Sequence, residues 1–187
     1  LELPNYTSKI VNTGIQAGGI EYAVPETISQ KDMDAILLFS NDDDKILENY
    51  TTEESDGNYV IKDLKENEKE ELEQIMTKPI IISRTVQKEE MANKIKEQIL
   101  SNVPEQQKEM MQNMSIIDIL KTMPEEQLNQ MLSESTKQID EMQDSIKGQA
   151  AVAYVKEIYK DAGVDTDKIQ MNYIMVAGFK MLILAAI

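Results

Sequence analysis

The sequence contains no Cys, no His and no Trp among its 187 residues. Without Cys and His, the usual zinc sites, cysteine nucleophiles and Ser-His-Asp triads cannot be built. Without Cys there are also no disulfides, and this leaves the compartment open because large extracellular domains can do without them. Aromatic residues make up only 5% of the chain, which argues against a stacking surface for sugars or bases.

Negative charge is in large excess. The chain has 34 Asp and Glu against 19 Lys and Arg, and its formal net charge at pH 7 is -15. Proteins that bind nucleic acids neutralise phosphates with Lys and Arg. We therefore expect no nucleic-acid partner.

The charges are confined to the middle of the chain. Residues 21–170 hold 33 of the 34 acidic and 17 of the 19 basic side chains, whereas the flanks hold only Glu2, Lys9 and Lys180. Residues 173–187 form an apolar run that is too short to cross a bilayer, which takes about 20 residues. We expect this run to be a truncated transmembrane helix; the alternative is a buried core helix at the C-terminus. Because cytoplasmic loops are enriched in Lys and Arg, the acidic segment between the flanks fits the outer face of a membrane better.

The spacing of apolar residues predicts an all-α fold with at most one small β-ribbon. Residues 65–76 read as a helix that Pro79 ends. Residues 80–82 are β-branched and are predicted to pair with residues 59–61 as the ribbon. Ser29 is a predicted helix N-cap, either Asp165 or Thr166 is predicted to cap the terminal helix, and Gly163 is a predicted C-cap.

A heptad pattern follows Pro124, which suits the first turn of a helix. The pattern predicts a packed helical hairpin, with Gly148 allowing a break after it. Its positions are Leu128, Leu132, Ser135, Ile139, Met142 and Ile146.

Motifs that carry chemistry are nearly absent. Residues 41–44 (NDDD) fail the calcium-binding EF-hand pattern, because Ile46 and Leu47 stand where an oxygen ligand and a glycine are needed. Glu89-Glu90 and Glu125-Glu126 are the kind of acidic pair expected by chance in so acidic a chain. We expect no catalytic residue, no metal site and no cofactor in this chain.

Methionine is the one unusual enrichment, with 12 residues in total. Many of them fall between Met91 and Met142, where ordinary core filling is one interpretation. Because Met is flexible and polarizable, the alternative is a soft surface for a hydrophobic partner or cargo, and Met110, Met111 and Met114 are its candidate residues. Copper(I) capture by these thioethers is a third reading, without a His or Cys to support it.

The two flanks carry a resemblance. LPNYTSKIVNTGI (residues 3–15), followed by QAGGIEYAVPE (residues 16–26), resembles the outer end of the first transmembrane helix of Gram-positive ABC exporters of the multidrug and peptide type. The ending IVNTGI is one residue longer than the tightest form of the pattern. NYIMVAGFKML (residues 172–182) resembles the start of the second transmembrane helix of these exporters. Most relatives have only a short loop between the two helices, so the large insert is a departure from the family.

The resemblance implies three regions: residues 1–19 as the end of the first membrane helix, 20–166 as an extracytoplasmic insert, and 167–187 as the start of the second. The two flanks would then pair as an antiparallel stalk, since an insert between adjacent membrane helices begins and ends at one place. Pro4, Tyr173 and Lys180 would lie at the membrane interface.

The same resemblance implies a function for the parent protein. It would be an ATP-driven exporter in the cell membrane that works as a dimer of halves, with its insert facing the extracellular side. ATP and Mg²⁺ would bind in parts that this chain lacks, because it contains no Walker motif. The insert would shield or gate the exit for hydrophobic or cationic cargo. The alternatives are a helical interaction module anchored on the cell surface and a helical enzyme that uses carboxylates.

Overall fold

The computed structural model describes residues 3–53 and 55–185, and this part of the chain is mainly helical, as predicted. Within it, a π-helical segment (Ile10–Gln16) continues the first helix. The α-helices of the described residues are α1 (Leu3–Lys9), α2 (Gln30–Leu37), α3 (Asp43–Leu47), α4 (Glu66–Gln87), α5 (Glu89–Ser101), α6 (Glu105–Gln112), α7 (Ile116–Lys121), α8 (Glu125–Glu141), α9 (Asp144–Asp161) and α10 (Thr166–Ala185).

One small antiparallel sheet accompanies the helices. Its strands are β1 (Thr27–Ile28), β2 (Tyr50–Thr52) and β3 (Tyr59–Ile61), in the order β1-β3-β2. Val60 pairs with Thr27 on one side and with Thr51 on the other. The predicted two-stranded ribbon is therefore a three-stranded sheet, and the prediction that residues 80–82 form one of its strands is wrong.

Residues 80–82 instead lie inside α4, and Pro79 does not end that helix. The reason is burial. Leu72, Met76 and Ile80 follow one another at intervals of four residues and are almost fully buried. An interior Pro costs a helix about 3 kcal/mol, and β-branched residues favour strands. Tertiary packing of this apolar face outweighs both local preferences.

Helix α4 forms the centre of the fold, and α9 and α2 pack against it. From α9, Val155 and Ile158 contribute fully buried side chains to the core, and from α2, Met33 and Ile36 do so. One continuous hydrophobic core thus connects elements from both halves of the chain.

The predicted heptad helix is shorter than its pattern. Helix α8 ends at Glu141, and Met142 is extended, with a ψ of 148°. Ile146 therefore lies on the next helix, where 48% of its surface is exposed. Gly148 lies within α9 rather than at a break. Leu128, Leu132 and Ile139 are buried as predicted, whereas the side chain of Ser135 lies outside the described part.

The predicted caps are confirmed. The Ser29 hydroxyl accepts a hydrogen bond from the Asp32 amide at 3.1 Å. Gly163 has a φ of +75° and ends α9, with the Val164 amide donating back to the Tyr159 carbonyl at 2.8 Å. The Asp165 carboxylate accepts from the Asp167 and Lys168 amides at the start of α10.

Candidate functional site

The two apolar flanks lie side by side. We use the name stalk for α1, the π-helical segment and α10 together. Near one end, the Thr7 hydroxyl lies 3.8 Å from the Met181 sulfur. Closer to the insert, the Gln170 side-chain amide donates to the Gly14 carbonyl at 3.0 Å. Because rising residue numbers on one side meet falling numbers on the other, the pairing is antiparallel, as predicted.

Two glycines allow the close approach. A Cβ at Gly14 would lie 2.9 Å from Ile174 Cγ1, and a Cβ at Gly19 would lie 2.9 Å from the Ile169 carbonyl oxygen. Gly19 also has a φ of +82°, which disfavours any residue with a Cβ. The Gly14 and Gly19 positions therefore fix how tightly the two sides of the stalk pack.

The π-helical segment lies within the stalk and includes Gly14. Seven residues of π-helix are unusual, since such turns are mostly single bulges at functional sites. The segment comprises the IVNTGI stretch of residues 10–15 together with Gln16.

The outer surface of the stalk is largely apolar along α10, whereas α1 and the π-helical segment expose mostly polar residues such as Asn5, Ser8 and Asn12. Phe179 and Leu182 are each 66% exposed. The large exposed hydrophobic residues of the stalk are Val11, Ile15, Met171, Met175, Val176, Phe179, Leu182 and Ile183. Exposed apolar surface of this extent marks a contact with a membrane or another protein. Within residues 3–53 and 55–185, none of the helices combines the length and the apolar character that crossing a bilayer requires.

The three residues predicted for the membrane interface all lie on the stalk. Pro4 is exposed in the first turn of α1, where it interrupts no helical hydrogen bond. Tyr173 is half-buried and faces Gly14 and Gly19 across the stalk, rather than lying fully outward. Lys180 is exposed on α10.

One stalk lysine pairs with an acidic residue at the base of the insert, and the other lines a cavity there. The Lys9 amine is 3.7 Å from the Glu21 carboxylate. Lys180 lines a cavity of about 390 Å³ together with Glu21 and Glu26. A lysine on an otherwise apolar helix is stabilised when its amine reaches polar surroundings while its stem covers apolar surface.

A second candidate site is a groove between α5, α6 and α8, with a volume of about 660 Å³. We call it the Met groove, and its methionines are Met110, Met111, Met114, Met123 and Met131. Met110 is 66% exposed, whereas Met111 and Met114 are half-buried. The structure thus brings together the three methionines that the sequence singled out.

Helix α6, which carries Met110 and Met111 and ends two residues before Met114, is weakly anchored. None of its residues is buried. The Lys96 amine on α5 donates to the Met114 carbonyl at 2.7 Å and ties the end of α6 to its neighbour. Other methionines of the same stretch, namely Met91, Met123, Met131 and Met142, pack against the core. The core-filling interpretation therefore holds for these four methionines, two of which, Met123 and Met131, also line the Met groove.

A buried charge cluster is the feature that sequence reasoning missed. Arg84 on α4 lies with its Nη2 atom 3.1 Å from Asp32 and its Nη1 atom 2.7 Å from Asp161. Asp32 is 3% exposed, and Asp161 is largely exposed. Burial raises the pKa of the Asp32 carboxyl, and the Arg84 guanidinium and the Ser29 hydroxyl partly oppose that rise.

The sequence held a signal for this cluster. Arg84 is the one arginine of the chain, and it follows the isoleucine run of residues 80–82. A cation in such a run is expected to be buried with a partner. The cluster joins α2, α4 and α9, three elements that pack around the core.

A metal site would need several acidic side chains close together in the part of the chain that the structure describes. Among those residues, no group of three or more Asp and Glu side chains is placed to hold a metal ion. In the acidic run of residues 41–44, Asp42 instead pairs with Lys45 at 2.6 Å. Comparison of the chain with protein-family models, with curated proteins and with solved structures finds no match.

Proposed function

We propose that this chain is the extracytoplasmic insert of an ATP-driven ABC exporter, together with the outer ends of the two membrane helices that flank it. One observation carries the proposal: the two flanks pair as an antiparallel stalk, and the outer surface of α10 in that stalk is exposed and largely apolar. An insert between adjacent membrane helices needs this geometry, because its chain leaves and re-enters the membrane at one place.

The positions of the stalk lysines support the same assignment. A charge inside the hydrocarbon layer is costly, and a lysine near the end of a membrane helix extends its amine toward the polar boundary. Lys9 reaches Glu21, and Lys180 shares a cavity with Glu21 and Glu26. Lys9 thus contacts the base of the insert, where the membrane surface would lie, and Lys180 lines a cavity at that base.

In this assignment the insert has no catalysis of its own. It lies over the outer mouth of the transport path and shields or gates the exit. ATP and Mg²⁺ act in other parts of the parent protein, which works with a second half-transporter in the cell membrane. Hydrophobic or cationic compounds are its cargo.

Protease protection in lipid vesicles tests the proposal. When the full chain is bound to phosphatidylcholine vesicles, we expect trypsin to cut at lysines of residues 21–170 and to leave Lys9 and Lys180 intact. In detergent-free buffer after heat unfolding, both stalk lysines should be cut, which is the control. A chain that does not float with vesicles would overturn the proposal.

The second candidate is a helical interaction module that α10 alone anchors on the cell surface, and the Met groove favours a binding role of this kind. The same experiment separates the two functions. Protection of Lys180 with cleavage at Lys9 would favour the module, whereas protection of both lysines supports the exporter insert.

A further inference from the structure

We propose that the Met groove binds the apolar face of a cationic amphipathic α-helix from a peptide. Identifying that peptide as export cargo rests on the function proposed above, whereas the binding itself needs no membrane. The argument has three parts: the lining of the groove, the incomplete packing of α6, and the charge on the surrounding helices.

The lining fits an apolar helix face. The volume of about 660 Å³ is in the range of sites that enclose small ligands, roughly 300–1,000 Å³. It is suited to the few anchor side chains that a bound helix presents at positions i, i+3, i+4 and i+7. Methionine side chains adapt to anchors of different shape, which suits a site that accepts varied sequences.

Helix α6 lacks a cover on its apolar face. It has eight residues, and helices shorter than about 12 residues are marginal in water without packing. None of its residues is buried, and Met110 is 66% exposed. A peptide helix in the groove would bury Met110, Met111 and Met114 and would complete the packing of α6.

The net negative charge of the three helices that line the groove favours a positively charged partner. Helices α5, α6 and α8 carry ten carboxylates and four lysines. Three of those lysines already have a polar partner within the protein. Lys108 pairs with Glu105, Lys137 pairs with Glu141, and Lys96 donates to the Met114 carbonyl.

Seven of the carboxylates, in contrast, have no cationic partner among the described residues. They are Glu89, Glu90, Glu97, Glu109, Glu125, Glu126 and Glu134. The groove itself is lined by uncharged side chains, including Gln98, Gln107 and Gln127. An apolar floor within an acidic surround is complementary to a helix with an apolar face and a basic one.

The distances make this attraction sensitive to salt. None of these carboxylates lines the groove, so their attraction for a bound cationic helix acts across solvent. Salt at 0.1 M screens such interactions beyond about 10 Å. The affinity for the peptide should therefore fall as the salt concentration rises. The apolar contribution of the methionines to that affinity should stay the same.

Fluorescence anisotropy with the full chain tests the proposal. The probe is a labelled 14-residue peptide of Leu and Lys, with all Leu on one helical face. Two control peptides have Glu in place of Lys, or the same residues in an order that removes the apolar face. We expect the probe to bind, with weaker binding at 300 mM than at 50 mM salt, and neither control peptide to bind.

Variants locate the site. Replacing Met110, Met111 and Met114 together with Ser should weaken binding by about 10-fold or more, because the apolar contact is lost. Met110→Ser alone alters an exposed side chain, so it tests the groove without disturbing the core, and it should weaken binding about 3-fold. The matched control is Met171→Ser with Met175→Ser, two exposed methionines of the stalk, which should leave binding unchanged.

A charge variant separates the acidic surround from the apolar floor. Exchanging Glu109, Glu125 and Glu126 for Gln should weaken binding at 50 mM salt and reduce its salt dependence. The proposal is overturned if the Lys and Glu peptides bind equally, if no peptide binds, or if the stalk control weakens binding as much as the groove variant. Concentration-dependent self-association that Met110→Ser abolishes would also overturn it, because a second copy would then cover the groove.

Discussion

Gly14 and Ile174 meet across the stalk so closely that a Cβ added to Gly14 would lie 2.9 Å from Ile174 Cγ1. No ordinary contact of a Cβ is that short, so a larger residue at Gly14 has to displace α10 or the π-helical segment. The stalk depends on this approach, since its two sides are otherwise joined by few polar contacts, such as that from Gln170 to the Gly14 carbonyl.

Cysteine cross-linking measures the pairing, because the chain has no native Cys to interfere. Thr7→Cys with Met181→Cys, treated with a short bifunctional thiol reagent, should give an intramolecular cross-link in most molecules. Adding Gly14→Leu should reduce that yield severalfold, because the stalk splays. Thr7→Cys with Met171→Cys is the control: Met171 lies ten helical residues, about 15 Å, from Met181, and this pair should stay open.

The buried ion pair predicts a stability that depends on pH. In Arg84→Met, Asp32 loses its guanidinium partner, and the pKa of its carboxyl in the folded protein should rise further above the unfolded value. A raised folded pKa favours the native state at low pH and loses that advantage as the pH rises through it. The variant should therefore be less stable than the parent by about 3 kcal/mol at pH 7 and by less near pH 4.

Urea unfolding at several pH values measures this difference. Asp32→Asn combined with Arg84→Met removes both charges, so the double variant should recover part of the stability at pH 7. If Arg84→Met loses the same unfolding free energy at pH 4 and at pH 7, the buried pair between Arg84 and Asp32 does not cause the pH dependence, and the prediction is wrong. The pair between Arg84 and Asp161 contributes little, because Asp161 is 55% exposed.

Two glycines in and after α9 should respond to alanine with opposite signs. Gly148 lies within the helix, and nothing lies within 4 Å of the Cβ that alanine would add. Gly148→Ala should therefore stabilise the protein by about 0.5–1 kcal/mol. Gly163 also has open space, but its φ of +75° strains any other residue, so Gly163→Ala should destabilise it by about 1 kcal/mol. Thermal unfolding of the two variants is the measurement, and equal signs would show that α9 has different bounds.

Local chemistry decided which features could be predicted from the sequence. Ser29, Gly163 and Asp165 interact with backbone groups of nearby residues, so their capping roles can be predicted without knowledge of the tertiary structure. The antiparallel stalk was also accessible, because the apolar flanks and the resemblance both point to it. Met110, Met111 and Met114 are neighbours in sequence, so their grouping depends only on α6 and the two residues that follow it.

Features that depend on contacts between residues far apart in the sequence could not be predicted from the sequence. Residues 80–82 have β-branched side chains and follow Pro79, yet they are helical because α9 and α2 bury their face of α4. Arg84 and Asp161 are 77 positions apart, and no local pattern reports their contact. The heptad pattern continued past Glu141 in sequence while the chain turned, because spacing alone does not register a break at an extended residue.

Spin labels on the stalk test the central claim most directly. Single cysteines at Val11, Phe179 and Met110 place a nitroxide on each side of the stalk and in the Met groove, at positions that are all exposed. With phosphatidylcholine vesicles, we expect the labels at Val11 and Phe179 to become accessible to oxygen and protected from a water-soluble nickel complex, while the label at Met110 stays accessible to nickel. Labels at Val11 and Phe179 that both remain in water would contradict the account, and entry of Phe179 without Val11 would favour a module anchored by α10 alone.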